Sequence, residues 1–407
     1  MVPKGWSEHT LDDLALVERG KFSVRPRNDP RYYGGDMPFV QTGDVTSSGT
    51  YLKSFSQTLN ENGVGVSKVF PKNTILITIA ANIGDTAITT FEVACPDSVV
   101  AIQPYKHVAD VYWLKKYLET RKTDLDAQST QNAQKNINLQ VLKPLLILTP
   151  PYAEQKKIAK ILSTWDNAIS VTEKLLANSQ QQKKALMQQL LTGKKRLLDE
   201  NGVRFSGEWK RVKLGAIADM NSGGTPKSTV EEYYGGNIPW VSISDMTSNG
   251  KWIATTEKYL TELGLNSSSA RIYPKNSVLY AMYASIGECS IAAVNLTSSQ
   301  AILGIRPKDC LNYEFLYFYL TSLKEKIKLQ GQQGTQSNLN AGMVKEFELD
   351  LPSIREQQKI AAVLSAADAE ISTLEKKLAC LRDEKKALMQ QLLTGKRRVK
   401  VDEAVAE

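Results

Sequence analysis

Few residues in this sequence could do bond-making chemistry. Its two histidines, His9 and His107, have no carboxylate or cysteine at metal-ligand spacing. No phosphate-cradling loop and no Gly-x-Gly-x-x-Gly run occurs. Thr149-Pro-Pro-Tyr152 has the outline of the Asn/Asp-Pro-Pro-Tyr turn that holds an amine for methylation. Thr149, however, replaces the residue that would hold the amine. Its counterpart Asp350-Leu-Pro-Ser353 breaks the pattern too, and no glycine-rich methyl-donor site precedes it, so the segment reads as a strand-to-helix turn. Pro96-Asp97 has no following Asp/Glu-x-Lys within thirty residues, which leaves a nuclease site unsupported. Cys95, Cys289, Cys310 and Cys380 lie far apart without a Cys-x-x-Cys pair and read as reduced, structural thiols. What remains is binding chemistry: Arg and Lys donate to guanine and phosphate, and Asn and Gln can pair with adenine.

Such residues gather on loops. In the first half they are Arg25, Arg27 and Arg31 in a stretch broken by Pro26 and Pro30, Asn82 beside Ile83-Gly84, and Gln134 and Asn136 in the polar segment 128–138. In the second half they are Thr225 and Lys227 in Gly223-Gly-Thr-Pro-Lys227, Tyr283 before Ile286-Gly287, and Gln336 and Asn338. The two sets occupy corresponding places because the chain repeats itself. Tyr32-Tyr-Gly-Gly-Asp-Met-Pro38-Phe-Val is answered by Tyr233-Tyr-Gly-Gly-Asn-Ile-Pro239-Trp-Val, and Trp6 by Trp209. Pro71 to Asn73 is answered by Pro274 to Asn276, and Gln134, Asn136 and Asn138 by Gln336, Asn338 and Asn340. Turns and core positions recur while loop contents differ.

Two long helices must position these loops. The segment KKALMQQLLTGK occurs at residues 183–194 and again at 385–396, identical at all twelve positions. Each copy closes a heptad pattern. From Ile158, alternating steps of four and three meet seven apolar residues in ten; from Ile360 they meet nine in ten. Ser353 with Glu356 predicts a capping box, and Gly193 and Gly395 predict C-terminal stops. Glu154 to Thr192 would be 39 residues, roughly 58 Å of helix at ~1.5 Å per residue. A seam that narrow needs a partner, and the other copy, returning antiparallel, supplies one. Between the helical stretches, Ile75 to Ala80 and Val99 to Ile102 read as buried strands and Val111 to Leu125 as helix, with Trp113, Leu114, Tyr117, Leu118 and Leu125 on one side.

Composition narrows the function classes. A 407-residue chain with 42% hydrophobic residues has room for two ordinary domains plus the helices. No apolar run approaches the ~18 residues of a membrane span, and the charged, polar N-terminus is unlike a secretion signal, so a cytoplasmic chain is expected. The net charge is +8, but Lys and Arg exceed Asp and Glu by only one in residues 1–150, four in 151–203, one in 204–351 and two in 352–407. Nucleic-acid binding must therefore rest on local clusters, not on a general basic field. Lys194-Lys-Arg196 and Lys396-Arg-Arg398, just past the helices, are candidates for phosphate or partner contacts.

Taken together, the tandem Tyr-Tyr-Gly-Gly-x-x-Pro-Phe/Trp-Val and Ile-Gly motifs, the Gln-x-Asn-x-Asn segment, Glu154-Gln155-Lys-Lys-Ile158-Ala159, Glu356-Gln357-Gln-Lys-Ile360-Ala361 and the Leu-Leu-Thr-Gly-Lys helix ends resemble the specificity subunits of type I restriction-modification systems. Departures are small: Ala133 stands where the second copy has Thr335, and Thr172 and Ser179 weaken the first seam. The resemblance implies an α+β chain of two similar target recognition domains, mixed sheets with helices, separated by a long antiparallel two-helix coiled coil with pseudo-twofold symmetry. The expected order is a first recognition domain at 1–150, a central spacer helix at 151–196, a second recognition domain at 197–351, a distal spacer helix at 352–396 and a tail at 397–407. It also implies that each domain reads one half of a bipartite site on double-stranded DNA, with the helices as a ruler. Partners would be two methyltransferase subunits and the motor-nuclease restriction subunits. The chain itself would be non-catalytic and bind no cofactor, S-adenosylmethionine, ATP and Mg being held by the partners. The competing class is a coiled-coil adaptor that joins two protein partners without DNA.

Overall fold

The computed structural model describes residues 2–129, 136–283, 285–332 and 339–401. The chain divides into two compact units, Met1–Glu173 with Lys377–Glu407, and Lys174–Lys376. The long helices Tyr152–Leu190 and Ile354–Leu392, 39 residues each, contribute a part to both units.

Unit 1 is built on a five-stranded sheet in the order Ala15–Arg19, Val99–Pro104, Ile75–Thr78, Thr86–Thr89, Tyr51–Leu52. The last pairing is parallel and the others antiparallel. Ile75 and Ile77 face one apolar cluster and Leu76 the other, so both sides of this strand are buried and it reads as an unbroken apolar run. The helix Val111–Thr120 covers one face with Trp113, Leu114 and Leu118, all fully buried. A second, four-stranded sheet contains Tyr33–Phe39, and Ser7–Thr10 pairs with Leu146–Thr149. Unit 2 repeats the plan: Ala218–Ser222, Ile302–Pro307, Val278–Ala281, Cys289–Ala292, Trp252–Ile253, with Lys210–Lys213 on Glu348–Leu351. Thr149-Pro-Pro-Tyr152 is the strand-to-helix turn its composition suggests.

The antiparallel helix pairing is visible inside each unit. In unit 1, Ile158 and Leu162 at the start of the first long helix share a core with Leu388, Met389 and Leu392 at the end of the second. In unit 2, Ile360 and Leu364 share a core with Leu186, Met187 and Leu190. The twelve-residue repeat is thus the same piece placed in two equivalent sockets. The polar seam positions are also partnered: Thr172 Oγ1 donates to the Ala168 carbonyl at 2.8 Å, and Ser179 Oγ to Glu370 at 3.1 Å.

Each socket is locked by one buried carboxylate. Glu154 is 3% exposed and Glu356 1%. Trp6 Nε1 donates to Glu154 at 3.1 Å, and Arg398, arriving from the end of the second helix, donates to both its oxygens at 2.8 Å. In unit 2, Trp209 Nε1 donates to Glu356 at 3.1 Å and Arg196 grips it at 2.6 and 2.8 Å. Both guanidinium groups lie over the indole rings, 5.7 and 5.6 Å from the ring centres. The neighbouring glutamines are buried too. Gln155 donates to the Val108 and Pro150 carbonyls and accepts from Asp110 N–H; Gln357 does the same with Cys310, Pro352 and Asn312.

Two expectations change here. Arg196 and Arg398, expected at phosphates or partners, bind the buried Glu356 and Glu154 of this chain. The second helix's capping box is half formed: Ser353 Oγ accepts from Glu356 N–H at 3.3 Å, but the Glu356 side chain turns to Arg196, because a bidentate charge-assisted pair outweighs one backbone N–H. The glycine stops behave as expected. Gly193 and Gly395 both have φ of +68°, and the amides of Lys195 and Arg397 donate back to the Gln189 and Gln391 carbonyls.

Unit 1 also buries two lysines that nothing in the sequence pattern marks. Lys115 and Lys116 have side chains 0% and 2% exposed. Lys115 pairs with Glu119 and donates to the Gly49 carbonyl at 3.1 Å. Lys116 pairs with Glu119 at 3.0 Å and with Asp166 at 2.8 Å; Asp166 in turn accepts from Tyr112 at 2.6 Å and pairs with Lys385. Burial would raise the Asp166 carboxyl, but the Lys116 charge and these donors hold it well below the usual carboxylate range. Its contribution is therefore complete above ~3.9, the unfolded value, and is lost as pH falls below it. Burial pushes the Lys115 ammonium down to about 8.

Two outcomes follow. Arg196→Ala leaves a buried carboxylate without its cation and should cost about 2–3 kcal/mol in denaturant unfolding followed by tryptophan fluorescence, with Arg196→Lys recovering only part. Arg398→Ala should cost less, since Arg398 is 42% exposed against 21% for Arg196. For Lys115, the unfolded chain holds a proton up to ~10.4 that the folded unit releases near 8, so stability should rise with pH across that window. Lys115→Met should remove a rise on the order of 3 kcal/mol, read as the pH dependence of the difference in Tm between variant and wild type.

Candidate nucleic-acid interface

Strand register brings the candidate loops of unit 1 to one end of its five-stranded sheet. Arg19, which ends its strand, faces Val100, and Val99, which starts the next, faces Thr78 at the end of the central strand. The segments 20–32, 95–98 and 79–85 therefore leave or enter the sheet side by side. Hydrogen bonds confirm the adjacency: Arg27 Nη2 donates to Asp97 Oδ1 at 2.7 Å, Ile79 N–H to the Ser98 carbonyl at 3.1 Å and Ile137 N–H to the Ile79 carbonyl at 3.0 Å. Asn136 bridges Ala80, which puts it beside the loop that carries Asn82. Asn82 donates to Thr46 at 3.3 Å. Gln134 lies outside the described residues.

The three arginines are exposed but engaged. Arg25 is turned back onto the Phe22 and Val24 carbonyls at 3.2 and 2.7 Å. Arg31, 79% exposed, pairs with Asp29 at 2.6 Å, whose carboxyl is held below its ordinary value by that hydrogen bond. Arg27, 50% exposed, pairs with Asp97. Exposed pairs of this kind contribute little, being screened by solvent, so a phosphate or base edge can replace the carboxylate at little cost.

Unit 2 presents the same end of the same sheet with different groups. Ser222 ends its strand opposite Leu303, and the segments 223–233 and 299–301 meet there beside residues 282–283 and 285–288. Gly224 N–H donates to the Ser298 carbonyl at 2.9 Å, Trp240 Nε1 to the Gly224 carbonyl at 2.9 Å, and Tyr234 Oη to the Pro226 carbonyl at 2.8 Å. A side chain at Gly223 or Gly224 would collide with backbone atoms 2.1 and 2.2 Å away. Thr225 and Lys227 follow this tie and are exposed. Tyr283 is 39% exposed; Leu339 N–H donates to the Met282 carbonyl beside it at 3.1 Å. Gln336 and Asn338 lie outside the described residues. Asn138 and Asn340, which follow the polar segments, are N-caps accepting from Val141 and Met343 N–H groups.

A cleft of about 480 Å³ opens beside Arg27 and Asn28, walled by Phe22, Tyr33 and Phe39 and edged by Gln41, Ser56 and Gln57. Gln57 gives no signal in the sequence, because only the antiparallel register Phe39↔Gln57 brings it to Gln41. Burial raises the Tyr33 phenol, which stays a donor and bonds the Arg27 carbonyl. The arrangement offers amides, guanidinium and aromatic faces, suited to binding rather than bond breaking. Among the described residues no group of three or more His, Cys, Asp or Glu could hold a metal ion, and no helix is long and apolar enough to cross a membrane.

Comparison with known proteins gives consistent matches. Residues 3–178 and 206–381 each match the type I restriction modification DNA specificity domain. The chain is 36% identical over 172 residues to the type I restriction enzyme MjaIX specificity subunit of Methanocaldococcus jannaschii, covering 42% of this chain and 40% of that protein. It is 27% identical over 419 residues to the MjaVIII specificity subunit of the same organism, covering 98% and 94%. In fold it resembles the crystal structure of the S subunit of a type I restriction-modification system from M. genitalium, with a TM-score of 0.62 at 18% identity over 95% of this chain and 96% of that one.

Proposed function

Because the chain belongs to the family of type I restriction modification DNA specificity domains, we propose that it is the sequence-reading subunit of such a system, each unit meeting one half of a bipartite DNA site. The observation that carries this reading is the repeated frame with unlike loops: the same sheet end presents Arg25, Arg27, Arg31, Asn82 and Asn136 in one unit and Thr225, Lys227 and Tyr283 in the other. Gln134, Gln336 and Asn338 belong to the proposed contact set through their place in the sequence. Arg and Lys suit guanine and phosphate, Asn and Gln suit adenine, and Tyr283 offers a face for packing on a sugar or base.

In this reading the chain does no chemistry and carries no cofactor. Two methyltransferase subunits bring S-adenosylmethionine and modify an adenine in each half-site. Motor-nuclease subunits bring ATP and Mg and cut unmodified DNA. The two long helices set the number of base pairs between the half-sites, and the assembly acts in the cytoplasm. The adaptor reading, two protein partners and no DNA, has no observation in its favour.

The chain purified with its methyltransferase subunits should prefer one duplex over versions substituted at single bases by roughly 5- to 150-fold each, and its affinity should fall steeply as salt rises. The absence of any base preference, with no duplex affinity beyond that of the methyltransferase subunits alone, would favour the adaptor instead. Lengthening both helices by the same few residues should keep both half-sites and widen the gap in mapped methylation sites; an unchanged gap would remove the ruler role.

A further inference from the structure

The two units share a backbone frame at the cleft, and the side chains placed on it differ in hydrogen-bonding sense. Gln41 precedes the helix Thr42–Ser47 as Ser242 precedes Ile243–Asn249. Gln57 faces Phe39 across the strand pair as Lys258 faces Trp240. In unit 1, Gln41 Nε2 donates to Gln57 Oε1 at 3.1 Å. That bond consumes one donor and one acceptor, so the coupled amides still present an acceptor, Gln41 Oε1, beside a donor, Gln57 Nε2. In unit 2, Ser242 Oγ is taken up by Asp245 at 2.6 Å, and Lys258 Nζ, 6.0 Å from the centre of the Tyr234 ring, offers only donors.

Base edges in the major groove divide the same way. Adenine shows an acceptor, N7, next to a donor, N6–H₂; guanine shows two acceptors, N7 and O6. We propose that Gln41 and Gln57 read an adenine in the half-site met by unit 1, and that Lys258, at the equivalent place in unit 2, reads a guanine. The inference rests on the DNA-reading function proposed above and assigns specificity within it. The Gln41–Gln57 bond fixes both amides before DNA arrives, so little rotamer freedom is lost on contact. Phe22, Tyr33 and Phe39 behind them exclude water from one side of the contact. Lys258 is held over Tyr234 and needs no carboxylate partner to be placed.

The test uses the full chain assembled with its methyltransferase subunits, with base preference at methylated sites in randomised duplexes as the readout. The double variant Gln41→Ser, Gln57→Lys should move one position of the first half-site from adenine toward guanine by about tenfold or more, leaving the second half-site intact as an internal control of folding. Lys258→Gln should move one position of the second half-site from guanine toward adenine, and it keeps the proposal testable if the double variant loses DNA binding. Unchanged motifs in both variants, or a wild-type motif lacking the named bases, would overturn the assignment alone. A wild-type complex that methylates with no bipartite preference would overturn the DNA-reading function itself.

Discussion

A carboxylate buried at the start of each long helix is the constraint on which the rest of the fold depends. Removing Glu154 or Glu356 from water without a partner would be costly, and the helix in which each sits supplies none. The cation comes instead from residues that follow the other helix, Arg398 and Arg196, and the indole of Trp6 or Trp209 completes the cage. The charge is satisfied only when the end of one helix lies against the start of the other at one register. A seam of leucines tolerates sliding by a heptad; a bidentate guanidinium pair does not. The adjoining Gln155 and Gln357 extend the same logic, tying each helix start to the loop before the helix that covers the sheet.

This division of labour explains how residues 1–150 and 204–351, each with a net charge of only +1, can discriminate. The fasteners are buried and alike in both units, while the loops at the open sheet end share a backbone path and little else. Arg27 on Asp97 and Arg31 on Asp29 in one unit stand against Thr225, Lys227 and Tyr283 in the other. Base readout needs a few donors and acceptors held at the right edge, and a uniform positive field would add affinity without adding discrimination.

Much of the frame was legible in the sequence because it rests on local or periodic signals. The heptads, the helix-stopping glycines and the apolar run at Ile75 depend on residues close in the chain, and the internal repeat presents the heptads and the glycine stops twice. What escaped depends on long-range register. Arg398 sits 244 residues from Glu154, so it reads as one more basic residue in a tail, and the Ser353 capping box looks complete until Arg196, 160 residues from Glu356, takes its glutamate. Lys115 and Lys116 look like solvated helix residues until Gly49, Glu119 and Asp166 are folded around them. Gln57 carries no pattern of its own and becomes informative only opposite Phe39.

The same asymmetry between frame and loop bears on how specificity can change without loss of fold. Substitutions at Glu154, Glu356 or their arginines act on buried charge, where several kcal/mol are at stake. Substitutions at Gln57 or Lys227 act on exposed side chains, where surface changes usually stay within ~0.5 kcal/mol. A chain of marginal stability can therefore exchange the second kind freely while holding the first kind fixed. Two copies of one frame that differ mainly in their loops are the expected product of that difference in cost, because each copy could alter what it touches without disturbing the socket that receives the other's helix.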